Sequence, residues 1–340
     1  MKKVQLGRTG LMVTKTSFGA LPIQRAAMDD AVAILRRAYE AGINFFDTAR
    51  SYTDSEEKLR RALGPVRKDV ILATKAVPSP KEKFLELAET SLRTLGTDYV
   101  DLLQIHNAGT LPDPDDPDGP YAGLLEARRR GWCRYIGLTT HKVGVAEDAA
   151  RSGLYDTIQY PFNYLSSARE EALVELCRQE NLGFIAMKSL SGGLIHDVRP
   201  VFAFMRRFPA AVPIYGIQKM EELEQFLALE KDPPVLDGRL QEIIDADRRE
   251  LAGNFCRGCG YCLPCPAGIR IPMAARMSLL LRRSPTKRFL GPEGEEIMSK
   301  VEDCIHCNHC KDNCPYQLDT PALLVENLRD YRSFRTGANA

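Results

Sequence analysis

Two runs near the end of the 340-residue chain, "CRGCGYCLPCP" (Cys256 to Pro266) and "CIHCNHCKDNCP" (Cys304 to Pro315), hold eight of its ten cysteines. Clustered thiols in a reducing compartment hold metal more often than they pair as disulfides. A tetrahedral zinc ion would take two C-x2-C pairs, with His306 or His309 as further ligands. Zinc has no use for a tight triplet repeated twice and closed each time by Cys-Pro. Thiolates at steps of three instead wrap one loop around an iron–sulfur cubane, three of them each taking an iron. The two histidines then read as fillers of the loop.

A second chemistry is spaced along the first third of the chain. Asp47 follows "INFF", Tyr52 comes five residues later, Lys75 ends "VILATK" and His106 ends "VDLLQIH". A free phenol, with a pKa near 10, is a poor acid at neutral pH. An ammonium beside it favours the phenolate, and a carboxylate on that ammonium holds it in place. The histidine can donate a hydrogen bond to a carbonyl oxygen. Hydride must come from a nicotinamide, because no side chain supplies one.

The elements that must position these residues alternate. Strand candidates are "VTKTSFGA", "INFFDTA", "VILATKA", "VDLLQIH", "RYIGLTT", "DTIQYPF", "GFIAMKS" and "VPIYGI", with amphipathic stretches between them such as Asp29 to Gly42 and Pro80 to Gly96. In the first stretch Ala31, Leu35 and Ala38 share one face and Arg36 and Glu40 the other. Strict alternation implies parallel strands with right-handed crossovers, and eight such units in about 215 residues fit a closed (β/α)8 TIM barrel. No Gly-rich dinucleotide fingerprint follows the first strand. The opening "VQLGRTGLMVTKTSFG" reads as a hairpin leading into that strand. In such a barrel, chemistry sits at the C-terminal strand ends, where all four polar residues fall.

At these residues the chain resembles the aldo-keto reductase superfamily. Asp47, Tyr52, Lys75 and His106 match its catalytic tetrad, "GINFFDTARSYTDSEEKLRRAL" looks like its signature, and the likeness covers roughly Met1 to Leu229. The resemblance implies a metal-free barrel, an extended NADP or NAD, and a small-molecule carbonyl or alcohol substrate. It implies that Thr139, Thr140 and His141 face the nicotinamide carboxamide, with Gln159 as their partner. Met187 stands where the family has a tyrosine stacked on the ring; a thioether packs there but donates no hydrogen bond. Lys188, Ser189, Leu190 and Gly192 fall on the pyrophosphate track. Gly216, Gln218, Lys219, Glu222 and Gln225 fall near the adenosine end. A neutral Gln218 with Glu222 nearby suits a free 2′-hydroxyl, while Lys219 could meet a 2′-phosphate, so NADH and NADPH both stay open.

The second cysteine run has the spacing of a bacterial dicluster ferredoxin, in which the fourth cysteine serves the other cluster. The expectation is two [4Fe-4S] clusters, one on Cys256, Cys259, Cys262 and Cys314, the other on Cys304, Cys307, Cys310 and Cys265. The first run departs from the pattern, with two residues instead of three before Cys265. The combined chain resembles a branch of aldo-keto reductases with a fused C-terminal ferredoxin-like domain. The expected division is 1–235 for the barrel and 236–340 for a linker helix and the iron–sulfur domain. "LEKDPPVLDG" is the linker and "RLQEIIDADRREL" the helix.

With 46 basic and 45 acidic residues the chain carries no electrostatic footprint for nucleic acid or membrane. The first residues have no apolar signal region and no run of 18 apolar residues follows, so a cytoplasmic protein is expected. Cys133 and Cys177 read as buried thiols. "LLLRRSPTKR" (Leu279 to Arg288) is either a docking patch for an acidic redox partner or a solvated face, and "LPDPDDPDGP" either a lid or a stiff acidic loop. The reading that joins the halves is an NAD(P)H-dependent oxidoreductase acting through Tyr52, with the clusters handling single electrons. The alternative is a non-enzymatic redox sensor that binds the cofactor and uses its clusters structurally.

Overall fold

The structure, a computed structural model, describes residues 1–251, 255–283 and 289–337. Two short strands, β1 (Lys3–Gln5) and β2 (Met12–Thr14), form an antiparallel hairpin turned at Gly7–Gly10, as expected. Eight parallel strands follow: β3 (Ser17–Gly19), β4 (Phe45–Asp47), β5 (Ile71–Ala76), β6 (Val100–Ile105), β7 (Cys133–Thr139), β8 (Thr157–Pro161), β9 (Gly183–Met187) and β10 (Ala211–Gly216). They pair in chain order and close, β10 against β3, into a barrel. Each falls within, or one residue beyond, one of the eight runs read from the sequence. The helix Met28–Glu40 buries Ala31, Leu35 and Ala38 as its periodicity announced, and Ile34 with them, while Lys81–Leu95 buries Phe84, Leu85, Ala88, Ser91, Leu92 and Leu95.

The N-terminal end of the barrel is plugged. Leu6 and Val13 of the hairpin pack with Phe45, Ala73, Leu102, Ile185, Val212 and Ile214 from the strands. Closure is reinforced by Lys15, whose ammonium donates to the carbonyls of Phe208 and Pro209 ahead of β10 and of Ala211 at its start. Burial lowers this lysine to about 7. With one end sealed, only the C-terminal strand ends remain available for chemistry.

By internal contacts the chain forms two compact units. The first comprises Met1–Ser189 and Asp197–Ile244; the second comprises Asp245–Ala340 together with Leu190–His196. In the second, the helix Thr320–Arg335 is capped by Asp319 and packs its Leu324, Asn327 and Tyr331 inward. Asn327 accepts from the Ser278 amide, and Arg282 pairs with Asp330. Of the basic run at Leu279, Leu280 and Leu281 are buried and Arg282 is in that ion pair, while 284–288 lie outside the described residues. Asp113 to Asp118 form an exposed acidic loop. Among the described residues no helix is long and apolar enough to cross a membrane.

Candidate active site and cluster-binding loops

Asp47 ends β4 and Lys75 lies near the end of β5; both are buried, and the Lys75 ammonium donates to Asp47 Oδ2 at 2.5 Å and to the Thr48 carbonyl at 2.6 Å. Burial drives Lys75 below its usual value, and Asp47 opposes the fall. The same ammonium stands 5.2 Å from the centroid of the Tyr52 ring, and the ring meets His106 edge-on at 5.5 Å. All four expected residues are therefore brought together. His106 is lowered to about 3, first by burial and then by the charges of Lys75 and Lys188, so its imidazole is neutral at physiological pH. Ser51 Oγ lies 3.1 Å from His106 Nδ1. If that hydroxyl donates, the imidazole proton sits on Nε2, the nitrogen free to meet an acceptor.

Several residues that build this site gave no sequence signal. Gln104, opposite Lys75 across β5 and β6, donates to Asp47 Oδ1 at 3.2 Å. Its side chain needs the bare backbone of Gly137, where a Cβ would lie 3.1 Å from Gln104 Cγ and 2.2 Å from Thr157 Oγ1. Lys58, also buried, donates to the carbonyls of Ile23, Gln24 and Ala26 and to Asp54, tying the loop after β3 to the segment that carries Tyr52. Periodicity cannot find such residues, because their partners are set by tertiary structure.

The cofactor candidates divide. Gln159 donates to Asp47 Oδ2 at 3.3 Å, which leaves its own Oε1 buried without a hydrogen-bond partner. An orphan acceptor beside the tetrad suits an amide donor. The Thr139 hydroxyl accepts from the Asn107 amide and the Thr140 hydroxyl donates to the Ala108 carbonyl, so both brace the loop after β6. His141 Nδ1 is 2.8 Å from Asn107 Oδ1, and burial holds the ring well below its usual pKa. Met187 packs against the barrel core from the end of β9. Lys188 has a left-handed backbone with φ of 56° and its carbonyl is held by Asn163 Nδ2; Ser189 is buried. Gly216 ends β10 against Pro22, and Gln225 is exposed. Glu222 Oε2 accepts from the amides of Gln218 and Lys219, capping the helix Met220–Lys231.

In the second unit, one cavity is lined by Cys265, Cys304, Cys307 and Cys310. Another is lined by Cys256, Cys259, Cys262 and Cys314, with Cys310 also on its wall. Ile271 borders both. Among the described residues, no three His, Cys, Asp or Glu side chains converge on a single-ion position. Thiols spread around a cavity suit a polynuclear cluster better than one zinc ion. Burial pushes Cys262 up to about 12, so a cation is needed to hold it as thiolate. Cys133 and Cys177 are buried thiols, each raised to about 12.

Comparison with known proteins agrees with both halves. The aldo/keto reductase family matches residues 13–200, and a 4Fe-4S dicluster domain matches residues 255–319. L-galactose dehydrogenase of Arabidopsis thaliana is 31% identical over 226 residues, 59% of this chain and 70% of that one. An uncharacterized oxidoreductase of Schizosaccharomyces pombe is 28% identical over 253 residues, 63% of this chain and 81% of that one. Among solved structures, an aldo-keto reductase from Klebsiella pneumoniae in complex with NADPH superposes with a TM-score of 0.61 at 23% identity, covering 72% of this chain and 94% of that one. The holo form of one from Bacillus halodurans gives 0.62 at 22%, covering 72% and 96%. The chain thus belongs to the aldo/keto reductase family of NAD(P)-dependent oxidoreductases and carries, after its barrel, a 4Fe-4S dicluster domain.

Proposed function

We propose that the barrel interconverts a small-molecule carbonyl and its alcohol, with Tyr52 as the proton donor. The observation that carries this reading is the chain from buried Asp47 through buried Lys75 to the half-buried Tyr52 ring, with His106 against the ring's edge. Bound NAD(P)H supplies the hydride. Tyr52 gives its proton to the developing alkoxide, and the Lys75 ammonium stabilises the phenolate left behind. His106, neutral and fixed by Ser51, orients the carbonyl oxygen from its Nε2. Gln159 Oε1 receives the carboxamide donor, while Lys188, Ser189, Leu190 and Gly192 form the pyrophosphate track. The adenosine end falls to Gly216, Gln218, Lys219, Glu222 and Gln225.

The two cysteine-lined cavities hold two [4Fe-4S] clusters, which supply one-electron chemistry. Cys256, Cys259, Cys262 and Cys314 hold one, and Cys304, Cys307, Cys310 and Cys265 the other. The protein works in the cytoplasm.

Tyr52→Phe tests the catalytic assignment. Reduction of generic aldehydes by NAD(P)H should fall by about 10²- to 10⁴-fold with cofactor affinity unchanged. Turnover near wild type would remove Tyr52 from its role.

A further inference from the structure

The segment that leaves β9 is an unusual piece of chain. Of the six residues from Lys188 to Gly193, four have left-handed backbones: Lys188 at 56°, Ser191 at 49°, Gly192 at 68° and Gly193 at 90°. Two of these are side-chain-bearing residues, for which that region is costly unless the surroundings enforce it. From Leu190 to His196 the segment belongs to the compact unit that contains the cysteines.

Inside that unit one side chain ties the segment to a cluster loop. Arg276, just before the helix Met277–Arg283, donates from Nη1 to the Gly192 carbonyl at 2.8 Å. The same guanidinium closely approaches Gly258, between Cys256 and Cys259: a Cβ there would fall 2.8 Å from Nη1 and 2.9 Å from Cζ. From the other side, a Cβ at Gly192 would fall 2.9 Å from the Arg257 carbonyl and 3.2 Å from Arg276 Nη1. Both glycines are thus required by close packing as well as by positive φ. A planar, permanently charged group held between two bare backbones transmits the position of one to the other.

We propose that Arg276 is a positioning residue that locks the Leu190–Gly193 turn to the Cys256–Cys262 loop, so that this turn takes its binding shape only when that loop is closed around its cluster. This rests on the reading that Leu190 and Gly192 receive the pyrophosphate. Cluster occupancy then governs cofactor affinity through one hydrogen bond and one close backbone contact. Nicotinamide binding becomes conditional on an intact iron–sulfur domain.

The test uses anaerobically purified holoprotein as wild type, Arg276→Ala and Arg276→Lys. Iron and sulfide content, hydrogen exchange of the 190–196 amides, and dissociation constants for NADH and NADPH are measured on each. In Arg276→Ala, with iron retained, exchange at 190–196 should speed up and the dissociation constant should rise, each by about tenfold, the scale of one charge-assisted hydrogen bond. Arg276→Lys, which keeps a charged donor, should recover part of both. Unchanged exchange would overturn the clamp. Faster exchange with unaltered affinity would overturn the coupling while leaving the cofactor reading intact, whereas a wild type that binds neither nucleotide would overturn both. Should Arg276→Ala lose iron, Arg276→Gln, with a neutral donor, decides by the same two readouts.

Discussion

Gly258 and His306 occupy the same left-handed turn in the two cysteine loops, with φ of 65° and 52°. Gly260 and Asn308 repeat the relationship two residues on, at 85° and 59°. A third pair, Gly268 and Gln317 at 72° and 54°, each stands three residues after a Cys-Pro cysteine. The two runs are therefore one backbone motif used twice, and the shorter step before Cys265 leaves the positive-φ sites of that motif in place.

It follows that the second loop carries backbone strain that glycine would relieve. His306→Gly and Asn308→Gly should keep their iron and shift stability by no more than about 1 kcal/mol. Gly258→Ala, whose methyl would press on Arg276, should lose iron from the first site. Iron analysis and thermal unfolding under argon read all three.

Asp47→Asn should cost more than activity. It leaves the Lys75 ammonium buried at the strand end with its charge uncompensated, an arrangement worth about 3–5 kcal/mol of destabilisation. Urea unfolding monitored by Trp132 fluorescence gives the number, and turnover should be lost in parallel. A variant of wild-type stability would mean that water or a shift of Lys75 rescues the site.

The neutral histidines make stability depend on acid. His106 titrates near 3 in the folded protein against about 6.5 unfolded, and His141 is shifted in the same direction. The unfolded chain therefore binds more protons below pH 6.5, and stability is lost as pH falls from there toward 3. His106→Gln should flatten part of that slope in denaturant titrations between pH 6.5 and 4. An unchanged slope would place the acid sensitivity elsewhere.

Glu222 occupies two amides at a helix start that would otherwise receive an anion. Glu222→Ala should therefore improve NADPH binding relative to NADH by several-fold. The ratio of the two dissociation constants, measured by nucleotide fluorescence, checks it.

Much of this was readable from the chain. Strand ends such as "DTA", "ATK" and "QIH" carry polar residues directly after apolar runs, and a closed barrel gives such residues one place to go. What could not be read has a common cause. Ser51 reaches His106, Gln104 reaches Asp47 and Arg276 reaches Gly192 across 55, 57 and 84 positions, and no local pattern marks Ser51, Gln104 or Arg276. Thr139 and Thr140, which the family resemblance put beside the nicotinamide, also hold the backbone after β6 with their hydroxyls, a contact that no local pattern announces. The allegiance of Leu190–His196 to the cysteine-bearing unit is likewise a matter of packing, invisible in a run that reads as barrel.

Ile271 and Cys310 line both cysteine cavities, so the two share a wall. Two clusters bound there would not behave as independent centres. When both are reduced, their unpaired spins should couple, and the low-temperature EPR spectrum should broaden into an interaction pattern that two superposed simple signals cannot reproduce. Reducing the protein by one electron per chain on average should give the narrower signals first, with the broad pattern growing only as the second electron enters.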